Sequence, residues 1–151
     1  MRRGGEIDMS TLERAIVIAA EAHAGQVDKA GAPYVLHPLR MMLRVSSIDE
    51  RIGAVLHDVC EDCPGWTLDR LRGEGFPDHI IEAVRSVTKR DGEDYEAFVR
   101  RAAANQIGRR VKLADLHDNS DLSRIAVPSE RDLQRIEKYR RAIDLIGQLR
   151  E

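Results

Sequence analysis

Apolar residues recur at helical spacing along nearly the whole chain, and no alternation runs long enough to make a strand. Leu12, Ala15, Ile16, Ala19 and Ala20 form an amphipathic stripe, and Ser10 with Glu13 reads as the capping box ahead of it. Residues 25–33 are polar and glycine-bearing, which predicts a loop. A second helix is predicted over 38–45, with Pro38 as its first residue, where a missing N–H is no loss. Ser47 or Asp49 caps a third, in which Ile52, Val55, Leu56 and Val59 face the core. The segment 64–67, with Pro64 and Gly65, breaks that helix, and Thr67 caps a short one over 68–72. Pro77 and Asp78 open a fifth, bearing Ile80, Ile81, Val84 and Val87. Residues 94–104 and 107–119 read as further helices. Ser129 with Asp132 begins the last, which carries Ile136, Tyr139, Ile143 and Ile146. The pattern predicts an all-α, single-domain helical bundle over residues 10–151, preceded by a loose tail over 1–9.

Composition narrows the class. A chain of 151 residues suits one domain with one core. A net charge of −2 lacks the basic excess of a nucleic-acid binder. The 2 cysteines, Cys60 and Cys63, are too few for a disulfide framework; with Glu61 and Asp62 between them and no second pair, packing is the better reading. The start, with Arg2 and Arg3, has no apolar stretch behind it and does not read as a signal peptide. No run approaches the roughly 20 apolar residues of a membrane span. These features describe a cytoplasmic enzyme without membrane or nucleic-acid partners.

The end of the third helix carries the most chemistry. His57 and Asp58 stand side by side after an apolar run, and Glu61 and Asp62 follow one turn later. On a continuous helix His57 and Glu61 share one edge and Asp58 and Asp62 the next, because residues four apart are neighbours. Three carboxylates and an imidazole on one wall require a positive partner, and a divalent cation is the simplest. His37, beside Pro38, and Asp115 supply two more donors, completing an ordered set of two histidines and two aspartates. Such mixed donors fit Mn, Fe, Co, Ni or Zn. Asn119, four residues after Asp115, shares its helical face. Lys112, three residues before Asp115, is placed to reach a phosphate from the same side. His23 falls in the apolar register of the first helix and reads as a core residue; His79 reads as surface, and His117 points away from the Asp115 face.

Taken in order, His23-Ala-Gly-Gln26, Lys29, Pro33-Tyr-Val-Leu-His-Pro38, Leu56-His-Asp-Val-Cys-Glu-Asp62, Val87-Thr-Lys89 and Val111-Lys-Leu-Ala-Asp115 with Asn119 form several separate blocks. Together the chain resembles the HD-domain metal-dependent phosphohydrolases, and within them the hydrolase domain of RelA/SpoT proteins and the stand-alone small alarmone hydrolases. The resemblance spans about residues 12–146. It implies an HD-type bundle, Mn²⁺ on His37, His57, Asp58 and Asp115, and Glu61 with Asp62 as the catalytic pair. It also implies nucleotide contacts from Lys29, Asn119, Arg135 and Tyr139. The implied reaction removes the 3′-pyrophosphate of (p)ppGpp-like or (p)ppApp-like alarmones, the chemistry of the stringent response. Alternatives are another HD nucleotide phosphatase, of the 5′-nucleotidase or NADPH phosphatase type, and a non-catalytic nucleotide sensor. Two positions depart from the family pattern: Asp28 and Asp121 stand where the family usually has arginine, which inverts the charge.

Overall fold

Helix-spaced apolar stripes become helices wherever a cap can start them. The computed structural model describes residues 10–150, so the loose tail expected over 1–9 lies outside the described residues. The helices are α1 (Leu12–Ala22), α2 (Leu36–Arg44), α3 (Ile48–Leu56), α4 (Val59–Asp62), α5 (Leu68–Gly73), α6 (Asp78–Ser86), α7 (Tyr95–Ala104), α8 (Gln106–Asn119) and α9 (Glu130–Gln148), with a 3₁₀ turn at Leu122–Arg124 before α9. The architecture is all-α, as the pattern predicts. Among the described residues, the only β-type pairing is an isolated bridge from Val27 to Pro33 that closes the loop after α1.

Caps account for most boundaries. Ser47, Thr67 and Asn105 each accept a hydrogen bond from a backbone N–H of the first turn they precede. Ser129 and Asp132 form the predicted reciprocal box. Three expectations shift. The cap of α1 is Thr11, which accepts from the Arg14 N–H, whereas the Ser10 N–H donates to the Gly75 carbonyl. Helix α2 starts at Leu36, so Pro38 occupies its third position, still within the first turn where no N–H is needed. The third helix ends at Leu56. His57 and Asp58 form the junction with α4 instead of lying on one unbroken helix.

Helix α3 is the spine of the molecule. Every residue from Ile52 to His57 is buried. One flank packs Ile52, Val55 and Leu56 against Ala15, Ile18, Ile80, Ile81 and Phe76 of the main core. Another turns Gly53 and Ala54 towards α8 and α2. A Cβ on Gly53 would sit only 3.1 Å from Val111 and 3.3 Å from Ile107, so the missing side chain lets α8 come close. A small cluster of Met41, Ala54, Val87, Ala102, Val111 and Ala114 packs where α2, α3, α7 and α8 meet. The end of α8 joins α7 and α9 through Val99, Leu116, Ala142 and Ile146. Burying such surfaces contributes about 25 cal/mol per Å², and here it fixes three chain segments around one point.

Candidate metal centre

That point is where α2, the α3–α4 junction and α8 converge. His37 lies in the first turn of α2, His57 ends α3, Asp58 starts α4, and Asp115 sits late in α8. The break at His57–Asp58 turns two consecutive side chains into the same space. One donor atom from each of His37, His57 and Asp58 lies within 4.8 Å of the others. Asp115 adjoins them, with Oδ1 3.0 Å from His37 Nε2 and 3.7 Å from His57 Nε2.

Each imidazole is held from behind. His57 Nδ1 donates to the Ala54 carbonyl at 2.8 Å, which turns Nε2 towards the cluster. That Nε2 is buried without a hydrogen-bond partner, although Asp58 Oδ2 is 2.9 Å away. Imidazole and carboxylate donor atoms thus face one another across a space that a cation could share. His37 Nδ1 pairs with Asp118 Oδ2 at 2.6 Å, which orients its Nε2 inward. Asp58 in turn accepts a hydrogen bond from the Tyr34 hydroxyl.

Charge in the cluster is mutually adjusted. Burial opposes protonation of His57, but the Asp58 and Asp115 carboxylates outweigh it and hold its pKa well above the usual histidine value. His37 is likewise raised: burial lowers it, and its hydrogen bonds to Asp115 and Asp118 more than compensate. Against a burial cost that acts upward, Lys112 and both histidines keep Asp115 well below the usual carboxylate range. Burial also raises Glu61 and Asp62, reinforced by the nearby Asp58 charge. The Glu-Asp pair stays a turn beyond Asp58, since the Asp62 N–H donates to the Asp58 carbonyl at 2.9 Å. Both side chains face solvent at the mouth of the cluster.

A cavity of about 440 Å³ opens beside Tyr34 and His37. Lys29, Asn119, Arg135 and Tyr139 all line it, so the loop after α1, the end of α8 and α9 bring these sequence-predicted residues together. Asn119 also donates to Asp115 Oδ1 at 2.9 Å, joining pocket to cluster. Lys112 is placed differently. It is buried, its Nζ lies 3.2 Å from Asp115 Oδ2 and 4.4 Å from the centre of the Phe98 ring, and it does not reach the cavity wall. Asp28 and Asp121 do line the cavity, yet each is engaged locally. Asp28 Oδ1 accepts from the Ala30 and Ala32 N–H groups, and Asp121 Oδ1 accepts from the Ser123 N–H.

Sequence reasoning missed Tyr34, Arg40, Asp118 and Arg124. Asp118 is fully buried and receives His37, Arg40 and Arg124 together. A signal existed for two of them. Asp118 follows Asp115 by one helical turn, and Arg40 follows His37 by the same step, so each shares a face with a ligand. Of the remaining histidines, His23 is buried as expected, 2.8 Å from Gln26 and 3.4 Å from Cys63, while His79 and His117 are exposed.

Comparisons with known proteins give the family and the fold. The family described as HD domain matches residues 15–118. A probable GTP pyrophosphokinase of Mycobacterium leprae is 29% identical over 94% of this chain and 19% of its own length. A guanosine-3′,5′-bis(diphosphate) 3′-pyrophosphohydrolase of Aquifex aeolicus is 30% identical over 72% of this chain and 17% of its own. The chain therefore spans less than a fifth of these relatives. A solved structure of a metazoan ortholog of SpoT, described as hydrolysing ppGpp and acting in starvation responses, shares the fold. Its TM-score is 0.73 at 19% identity, over 95% of this chain and 89% of that one.

Proposed function

This chain belongs to the HD domain family, and from that membership we propose that it is a metal-dependent phosphohydrolase removing the 3′-pyrophosphate of guanosine or adenosine alarmones. The observation that carries the reading is the convergence of donor atoms of His37, His57 and Asp58 within 4.8 Å of one another, with Asp115 Oδ1 beside them. Two imidazoles and two carboxylates are the donor chemistry of a divalent transition metal. His37, His57, Asp58 and Asp115 would hold it, and we assign Mn²⁺. When bound, such an ion polarises a phosphoryl oxygen and lowers the pKa of its water.

The chain's own side chains supply the rest. Glu61 and Asp62 have raised pKa values at the cluster mouth and serve as the proton carriers, one taking a proton from the attacking water or giving one to the leaving oxygen. Asn119 fixes Asp115 and offers its amide to ribose or phosphate without adding charge. Lys29, Arg135 and Tyr139 hold the nucleotide along the cavity. Lys112 serves the site through Asp115, because its ammonium is committed to that carboxylate. The relatives named for guanosine 3′-pyrophosphate hydrolysis support this substrate class. No helix among the described residues is long and apolar enough to cross a membrane. The free thiols of Cys60 and Cys63 fit a reducing, cytoplasmic compartment, and the substrate is a free nucleotide, not a nucleic acid.

A second reading keeps fold and metal and changes the substrate. Asp28 and Asp121 on the cavity wall favour a less heavily phosphorylated ligand, such as a nucleoside monophosphate or NADPH. The deciding experiment is a product assay on purified protein with Mn²⁺. Intact pyrophosphate released only from guanosine and adenosine 3′-diphosphates is the expected result. Orthophosphate from monophosphates or NADPH would establish the second reading instead.

A further inference from the structure

The two arginines that the family pattern would place at 28 and 121 are absent, yet the cavity is not short of guanidinium groups. Arg40 enters it from α2 and Arg124 from the 3₁₀ turn. Both are anchored on the same fully buried residue. Arg40 donates Nε to Asp118 Oδ1 at 2.8 Å and Nη2 to Oδ2 at 3.0 Å. Arg124 donates Nη2 to the Asp118 backbone carbonyl at 2.9 Å and Nη1 to Asp121 Oδ2 at 3.2 Å. Asp118 is 0% exposed, whereas each arginine side chain keeps 29% of its surface open.

We infer that Arg40 and Arg124, oriented by Asp118, form a clamp for a second anionic group of the substrate, the phosphate that is not cleaved. Resting on the phosphohydrolase reading above, the inference names the part of the substrate that this chain selects. The geometry supports it in three ways. A guanidinium carries five N–H donors in a rigid plane, so one carboxylate satisfies two of them and leaves others for the cavity. An arginine already held by a buried partner loses little side-chain entropy when it binds an anion, which raises affinity by preorganisation. Asp118 also fixes His37 Nδ1, so the clamp is tied to the metal cluster through a single side chain. A substrate phosphorylated at two positions spans cluster and clamp together; one phosphorylated only at the 3′ position engages only the cluster. The aspartates at 28 and 121 do not contradict this. Asp28 is occupied by loop N–H groups, and Asp121 helps to position Arg124.

The test compares two guanosine 3′-diphosphates, one with a 5′-diphosphate and one with a free 5′-hydroxyl, in wild type, Arg40→Gln and Arg124→Gln. Each variant should raise KM for the 5′-phosphorylated substrate about tenfold or more, the loss of one charge-assisted contact. Arg124→Gln should leave kcat within about twofold and the 5′-hydroxyl substrate almost unchanged, whereas Arg40→Gln also unpairs the buried Asp118 behind His37 and should lower kcat on both substrates. Arg124→Gln is the cleaner variant, because it leaves the Arg40–Asp118–His37 chain intact. Arg124→Lys should recover only part of the effect. Equal KM changes on both substrates, or none, would overturn the clamp while leaving the phosphohydrolase assignment standing. GDP binding by calorimetry separates the two failures. A wild type that turns over neither 3′-diphosphate but binds GDP, with binding lost in both variants, keeps the clamp and removes the alarmone reading. GDP binding that is absent from the wild type or unchanged in the variants removes the clamp.

Discussion

The two ends of the site are built in opposite ways. At the metal end, His37 and His57 have side chains 5% and 3% exposed, and every donor is braced by another group. At the nucleotide end, Lys29 and Asn119 are exposed, Arg135 and Tyr139 are half-buried, and the polar groups face a cavity. The closed end specifies chemistry, since burial in a low dielectric strengthens each charge interaction and penalises any unmatched group. On the proposed function the open end would select the substrate, since its side chains can be exchanged at small cost to the fold. Substitutions should therefore abolish function at one end and tune it at the other.

The largest effect is expected from His57→Ala. It removes one of the four proposed donors, so Mn²⁺ binding by calorimetry and turnover should disappear together. Retained metal with lost turnover would break the assignment of His57 as a ligand. Next, Glu61→Gln should leave Mn²⁺ affinity intact and lower kcat roughly 100-fold or more. Near-normal kcat would take Glu61 out of proton transfer. The third effect is one of pH. His37 and His57 are raised in the folded protein, so in the absence of metal their protons must leave before an ion binds. Mn²⁺ affinity should climb as pH rises through their folded values, by up to about tenfold per pH unit for each proton displaced. The stability of metal-free protein moves the other way. Raised histidine values contribute stability that is complete below the unfolded value, about 6.5, and lost as pH rises through the folded values. Thermal melts with and without Mn²⁺ should therefore diverge towards alkaline pH, and parallel curves would refute the coupling.

Smaller effects belong to the open end. Asn119→Ala should raise KM about fivefold through one lost hydrogen bond, with metal affinity little changed. An unchanged KM would confine Asn119 to supporting Asp115. Lys29→Ala, at an exposed lysine, should shift KM only about two- to threefold, and less at high salt.

The same division decides what could be read from the sequence. The candidate metal donors sit in short contiguous blocks whose local chemistry suits a cation, so His37, His57, Asp58 and Asp115 were expected near one another, and the fold brings them together. Caps such as Thr67 and the Ser129–Asp132 box were equally legible because they act over one turn. The junction at His57–Asp58 was not, since the apolar spacing of Val55, Leu56 and Val59 suits a continuous helix as well as a broken one. Nor was the commitment of Lys112 to Asp115, because spacing on α8 does not reveal that Phe98 of α7 covers the lysine. Arg124 lies beyond the end of α8, and only the turn of the chain at Leu122–Arg124 brings it back to Asp118.

Lys112 has a consequence for the charge of the cluster. A buried ammonium against Asp115, backed by an aromatic ring, supplies a resident countercharge to the carboxylates. Part of the negative charge around Asp115 is therefore offset by the chain itself, with a cation that never leaves.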